Sequence, residues 1–505
     1  MTRPSILLIT ADQWRGDHLG CAGHPFAVTP NLDALAREGT RFARHYGQAY
    51  PCAPARAGLV TGLYAHNHRV ISNGTPLDAR HPTLFTALRR AGYRPTLFGY
   101  TDTALDPRGR APGDPDLGDY ENVCPGLAVD TLLTERATPW LAHLAARGHA
   151  IADPDAGRDG IYARRPFGEP TAFAAEESET AFLTDRFLSW LSVAGAEPFC
   201  AHLSFIAPHP PFAAAAPWAG LIDPDAVTMP IGGGAVEAGQ HPLLAALLAR
   251  TNMAGFAPGL AGLAAHADAR TIRTVRATYA GLAAEVDHNI GRIVAALKAA
   301  GRWDSTVLVF TGDHGEQLFD HGLLGKTGYF DQSAHVPLIL RDPRPEADLG
   351  RNRTVAQFTE SIDVMPTVLA LAGLDRLDNA DGESLLPFCR GETPPGWRDE
   401  AHWAFDFRDP RGRHFETLFG LPSERCNLQV LRTDRLKYVH FAGQPPVLFD
   451  LHDDPDETRN CAADPGARAL LLEGLHRMMT WRLGHEDRAL TRFVCRGGTM
   501  TEHAR

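Results

Sequence analysis

Apolar residues along this chain fall into short unbroken runs, separated by stretches where they recur every three or four positions. Ser5-Ile6-Leu7-Leu8-Ile9-Thr10 is one such run, and Pro95-Thr96-Leu97-Phe98 is another. Cys200–Phe205 and Thr306-Val307-Leu308-Val309-Phe310 are two more. Runs this short, bounded by turn residues, read as strands buried on both faces. Thr29-Pro30 places a capping residue before a proline at the first helical position, predicting a short helix that stops near Gly39. Thr83 to Arg90 reads as a helix ended by Gly92, and 174–193 puts Leu183, Phe187, Trp190 and Leu191 on one helical face. The strongest pattern is 271–300, where Ile272, Val275, Tyr279, Leu282, Val286, Ile290, Ile293 and Leu297 form one apolar stripe ended by Gly301. Strands alternating with helices predict an α/β fold with a mainly parallel central sheet flanked by helices. Such sheets bind ligands at the carboxyl ends of their strands, and polar clusters directly follow three of these runs.

Beyond about residue 385 the pattern changes. Leu428–Arg432 and Leu436–Phe441 flank Thr433-Asp434-Arg435 as a hairpin, Val447–Leu451 reads as a third strand, and 467–483 is helical. The expected organisation is a catalytic α/β domain over 1–385, a smaller C-terminal antiparallel α+β subdomain over 386–485, and a tail over 486–505. Segments 103–170 and 207–265 are rich in Ala, Pro, Gly and Asp without clear periodicity, and read as long insertions over one face.

Composition narrows the class. The 505 residues carry 49 Lys+Arg against 60 Asp+Glu, a net charge of −11, which argues against broad binding to nucleic acid or anionic membranes. No apolar run approaches the roughly 18 residues a membrane span needs. The first strand begins almost at Met1, leaving no room for a signal peptide, and the 8 cysteines show no CxxC or regular spacing. A cytoplasmic protein with reduced, mostly buried thiols is expected.

Three clusters carry candidate chemistry. Thr10-Ala11-Asp12-Gln13 ends the first strand, and Asp12 is placed for metal or substrate binding, or simply to cap a helix. Thr311-Gly312-Asp313-His314-Gly315-Glu316 follows the strand at 306–310 and offers an oxygen and an imidazole nitrogen suited to a divalent ion. In Pro51-Cys52-Ala53-Pro54-Ala55-Arg56, a Cys at a helix start with an Arg four residues on would have a lowered thiol pKa. The alternative there is a structural Cys before a proline-initiated helix.

Cys52-x-Pro54-x-Arg56 with Thr61-Gly62 behind it resembles the sulfatase signature of the alkaline phosphatase superfamily. The likeness extends to the opening strand with Asp12, the Gly-Asp-His segment, Ser361-Ile362-Asp363-Val364-Met365-Pro366, and the C-terminal Leu448-Phe449-Asp450-Leu451 with its acidic continuation. The resemblance implies an alkaline phosphatase-like fold and a Cys52 converted after translation to formylglycine, an aldehyde. Its hydrate is a geminal diol. One hydroxyl attacks phosphorus or sulfur, and the second then loses a proton and expels the product. The resemblance also implies metal ligation by Asp12, Cys52, Asp313 and His314, with Gln13 close by and Arg56 positioning the diol.

Common sulfatases carry Asp-Asp after the first strand and a Gly-Lys-x-His segment after a later one. Here the first pair is Asp12-Gln13, and the later segment reads Phe98-Gly99-Tyr100-Thr101-Asp102-Thr103. The chain is therefore closer to the phosphonate monoester hydrolase and phosphodiesterase branch. That likeness implies a substrate pocket lined by Asn73, Tyr100, His209 and Lys326, with His209 protonating the leaving oxygen and Lys326 facing a tetrahedral oxyanion. Asp102 stands where the branch tends to have Thr, and is expected to shift substrate preference.

The resulting expectation is a formylglycine-dependent hydrolase of phosphonate monoesters and phosphate diesters with promiscuous sulfatase activity. It would use one divalent ion, Mn²⁺ favoured over Ca²⁺ or Mg²⁺. A true arylsulfatase is the alternative within hydrolases, and a non-catalytic binding protein that kept the fold is the alternative of another class. The expected partners are a small anionic ester substrate, a formylglycine-generating maturation enzyme and, in a homotetramer, further copies of the chain.

Overall fold

The computed structural model describes residues 3–233, 235–491 and 493–502. Its centre is an eight-stranded sheet built from β1 (Ser5–Ala11), β2 (Thr40–Tyr46), β4 (Pro95–Gly99), β5 (Ala128–Leu132), β6 (Cys200–Phe205), β7 (Thr306–Gly312), β8 (Leu338–Arg341) and β9 (Arg353–Glu360). Here β3 is Ala49–Tyr50, which lies elsewhere. The strand order is β5-β4-β6-β1-β7-β8-β2-β9, and every neighbour is parallel except β8, which runs antiparallel to both β7 and β2.

The alternation of β1 shows why both faces are covered. Leu7 and Ile9 join a core with the helices Pro30–Glu38, Glu179–Val193 and Ala269–Ala299, while Ile6 and Leu8 join a second core with Leu84–Arg90 and Val364–Leu371. The stripe on the long helix is buried from Val275 to Leu297, with Ile272 half-buried at its exposed beginning. Asp268 starts this helix by accepting from Thr271 N at 2.7 Å.

A second sheet has the order β13-β12-β11-β10-β3, with β10 (Glu400–Asp406), β11 (Asn427–Thr433), β12 (Leu436–Phe441) and β13 (Val447–Asp450) antiparallel in turn. Its edge strand β3 pairs parallel to β10 and comes from the chain just before Cys52, which ties this sheet to the helix that begins at Cys52. The helix Arg468–Gly484 packs on β12, and β14 (Phe493–Arg496) and β15 (Thr499–Glu502) form a terminal hairpin. The segment 103–170 is not wholly an insertion, because Ala128–Leu132 inside it supplies the edge strand β5. Among the described residues, no helix is long and apolar enough to cross a membrane.

Candidate active site

Four neighbouring strands, β4, β6, β1 and β7, end side by side, and the loops leaving their carboxyl ends carry the polar clusters. After β1, Asp12 N donates to Phe205 O at 3.0 Å, and Gln13 takes a left-handed conformation (φ 65°) that aims its N–H at Asp313 Oδ1, 3.1 Å away. After β4, Gly99 (φ 112°) is required, since a Cβ there would lie 2.1 Å from Ser204 O. The turn it permits sends Tyr100 and Asp102 inward.

The helix Cys52–Thr61 is buried at all ten positions. In its first turn Ala53 N donates to Asn73 Oδ1 at 3.0 Å, so Asn73 helps finish the end of the helix that carries Cys52. Four residues on, Arg56 spreads its guanidinium across the floor. Nε donates to Asp313 Oδ2 at 3.0 Å, Nη1 to Ser204 Oγ at 2.8 Å, and Nη2 to Asp12 Oδ2 at 3.2 Å and Tyr100 Oη at 2.8 Å. Tyr100 Oη in turn hydrogen-bonds Asp12. Asp102 faces the same arginine at 4.0 Å. Burial, with Asp12 and Glu121 adding like charge and Arg56 opposing, pushes its carboxyl up to about 7.

Cys52 Sγ lies 3.3 Å from His314 Nε2, 3.3 Å from Lys326 Nζ and 3.9 Å from Asp12 Oδ1. One donor atom each from Asp12, Cys52, Asp313 and His314 falls within 4.8 Å of the others, all buried. His314 Nδ1 contacts Gly315 O at 3.1 Å, which assigns the proton to Nδ1 and leaves the Nε2 lone pair facing the cluster. Burial and Lys326 push this imidazole down to about 3, keeping it neutral. Burial raises both aspartates, but His209, Lys326, His314 and Arg56 hold Asp12 well below the usual range, whereas burial and Asp12 push Asp313 up to about 6. Two carboxylates and an imidazole lone pair converging on one point fit a divalent cation.

The lowered thiol pKa expected at Cys52 is not found. Burial and the Asp12 charge push the thiol well above its ordinary value, outweighing Lys326, and the guanidinium of Arg56 is committed to Asp12 and Asp313. An unmodified thiol here is a poor nucleophile.

Lys326 donates to Gln13 Oε1 at 2.8 Å as well as facing Cys52. Burial lowers its pKa, but Cys52, Asp12 and Asp313 raise it further, so the ammonium stays charged. Its loop is pinned by Glu316, a residue whose part the sequence did not reveal. Glu316 Oε1 accepts from Leu318 N at 3.0 Å and Gly325 N at 2.6 Å, while Oε2 hydrogen-bonds Gln13. Ser204, which seats Arg56, also escaped the sequence reading. His209 donates through Nδ1 to Pro210 O at 2.7 Å, leaving Nε2 as the free nitrogen. Burial and Lys326 push its ring down to about 3.

A fold of this order with this cluster at its strand ends defines an ester-bond hydrolase of the alkaline phosphatase superfamily. The chain belongs to the sulfatase family: the Sulfatase family model matches residues 4–374, and the model for the N-sulphoglucosamine sulphohydrolase C-terminal region matches 319–482. It is similar to the phosphonate monoester hydrolase of Agrobacterium radiobacter, with 44% identity and a TM-score of 0.94 over 100% of both chains. The phosphonate monoester hydrolase of Silicibacter pomeroyi matches at 37% identity and a TM-score of 0.93 over 99% of both. The multifunctional alkaline phosphatase superfamily protein PehA of Trinickia caryophylli is 40% identical over 98% of each chain.

Proposed function

We propose that this chain is a metal-assisted hydrolase of phosphonate monoesters and phosphate diesters, with sulfate-ester hydrolysis as a side activity, and that its nucleophile is formylglycine made from Cys52. The observation that carries this reading is the convergence of Cys52, Asp12, Asp313 and His314 within 4.8 Å, beside the cations of Arg56 and Lys326. The high identity of relatives described as phosphonate monoester hydrolases supports the substrate class. Asp12, Asp313, His314 and the side chain at 52 would hold the divalent ion, Mn²⁺ favoured for this mixed oxygen and nitrogen set, which when bound stabilises negative charge at the reacting group.

The remaining work falls to groups of the chain itself. The aldehyde, when hydrated, supplies one hydroxyl to attack and a second whose deprotonation releases the product. Arg56, locked by Asp12, Asp313 and Ser204, presents a fixed positive edge beside position 52. Lys326, aimed by Gln13, sits 3.3 Å from Sγ and neutralises charge on the transferred group. Tyr100, Asn73 and Asp102 shape the pocket around that group. His209 is a neutral ring in the free site, and an incoming anion raises its proton affinity so that Nε2 can hand a proton to the leaving oxygen.

The test is mass spectrometry of the Cys52 peptide from protein made together with a formylglycine-generating maturation enzyme, alongside turnover of matched aryl phosphonate, phosphodiester and sulfate esters. The expected peptide is lighter by about 18 Da than the thiol form, and phosphonate and diester turnover exceed sulfate turnover. Full activity with an unmodified Cys52 overturns the nucleophile. Sulfate preferred over both phosphorus esters overturns the substrate class in favour of an arylsulfatase. A converted protein that turns over none of them leaves a binding role.

A further inference from the structure

A cleft of about 350 Å³ opens beside His209, between the segments 103–170 and 207–265 that cover the strand ends. His209, Arg158 and Tyr162 line it, together with the exposed carboxylates of Glu135 and Asp159. Arg158 is only 6% exposed, and its Nη1 is buried without a hydrogen-bond partner. Glu179, the buried acid whose charge favours it most, spends one oxygen on Tyr162 Oη at 3.0 Å and leaves the other unpartnered. A buried guanidinium without a bonded anion is costly, so its retention calls for a ligand.

The position of the cleft says which part of the substrate meets it. His209 is held by Pro210 O, and its ring feels the cations of Lys326 and Arg158, opposed by Asp12. On the hydrolase reading, the reacting group would lie by Cys52 and the leaving oxygen would face His209, which also lines the cleft, so the organic group carried on that oxygen would enter it. We propose that Arg158 and this cleft form a subsite for a single small anionic group, a carboxylate or a phosphoryl group, carried on the leaving alcohol of the ester. The inference rests on the hydrolase reading above. The exposed Glu135 and Asp159 in the lining disfavour a longer polyanion, so one terminal charge rather than a nucleic acid strand is the fit.

Three phenylphosphonate monoesters test this: one of 4-nitrophenol, one of a nitrophenol bearing a carboxylate, and one of a nitrophenol bearing a phosphonomethyl group. The readout is the ratio of kcat/KM for each charged ester to that for the plain ester. The wild-type ratio is expected to be about tenfold or more for at least one charged arm, in keeping with a charge-assisted bidentate contact, and the larger arm identifies the group. Arg158→Met brings the ratio to one or below, and Arg158→Lys restores part of it. Equal ratios in wild type and Arg158→Met overturn the subsite. If Arg158→Met does not fold, the same comparison is made with Arg158→Lys and Arg158→Gln. If converted wild type hydrolyses none of the three esters, the hydrolase reading fails instead. Calorimetric binding of the free charged phenols then decides the subsite: binding to wild type but not to the variant supports it, and equal binding removes it.

Discussion

Two buried clusters in this molecule each set a lysine among carboxylates, and they are built to opposite ends. Beneath the second sheet, Lys437 is 0% exposed and donates to Asp331 Oδ1 at 2.9 Å and to both oxygens of Glu457 at 2.7 and 2.6 Å. Arg432 adds a bond to Asp331 at 3.2 Å, and the rings of Trp403 and Phe330 close over the ammonium. Every charge there has a bonded opposite. At the strand ends, Lys326 has Gln13 and a thiol, while the lone pairs of Asp12, Asp313 and His314 turn toward one another. Burial of charge is common to both regions. What marks a site that waits for a cation and a substrate is the convergence of Asp12, Cys52, Asp313 and His314 donor atoms within 4.8 Å, two carboxylates sharing the one guanidinium of Arg56.

Exchanging each lysine for methionine puts that contrast to its hardest test. Lys437→Met leaves Glu457 buried without its cation while Asp331 keeps only Arg432, and the expected loss is about 3–5 kcal/mol of stability, read by denaturant unfolding. Lys326→Met removes a cation from the transition state, and the expected loss is roughly 10²–10³-fold in kcat/KM, with unfolding close to wild type. If Lys326→Met loses stability and keeps its turnover, the two clusters are of one kind and the contrast fails.

The sequence made the centre of this architecture readable and its margins obscure, for a physical reason. Buried runs such as Cys200–Phe205 and the stripe of the long helix declare themselves because both faces of a central strand and one face of a helix must be apolar. Thr40–Tyr46, reading TRFARHY, gives no such sign, since it alternates and its pairing with β9 and β8 comes from over 290 residues away. Within the site, Cys52, Arg56, Asp313 and His314 stand in local motifs. Glu316 lies inside one of them, yet its role depends on Gly325 and Gln13, contacts that spacing does not encode. Arg158 lies in a segment with no periodicity, and its significance is the partner it lacks. Asp102 was conspicuous as a departure, while its pairing with Arg56 emerges only from the fold.

His209 sharpens the comparison on the catalytic side, because its role depends on the leaving group rather than on the cluster. His209→Ala is expected to reduce kcat/KM by about 10²-fold for alkyl esters, whose alkoxide needs a proton. The loss for 4-nitrophenyl esters should be under about tenfold, since that phenoxide leaves without much help. A dependence of log kcat/KM on leaving-group pKa measured for both enzymes provides the check. Parallel lines would mean that His209 only shapes the loop, and that the proton comes from elsewhere.

The smallest expected effect comes from a group that belongs to neither cluster. Glu285, midway along the helix Ala269–Ala299, is 3% exposed and its Oε1 has no hydrogen-bond partner. Burial, opposed by Ser178 and reinforced by Glu179, pushes its carboxyl up to about 7. The unfolded chain releases that proton near pH 4.3, roughly the free glutamate value. Because the folded value is the higher one, the acid's contribution is fully present below the unfolded value and is lost as pH rises through about 7. Between pH 6 and pH 8 the loss amounts to about 1 kcal/mol. Glu285→Gln cannot ionise, so its stability should fall less steeply over that interval than that of wild type, as read by denaturant unfolding at both pH values. Equal falls in the two proteins would show that Glu285 finds a compensating cation when it ionises, which would place it with the balanced cluster under the second sheet.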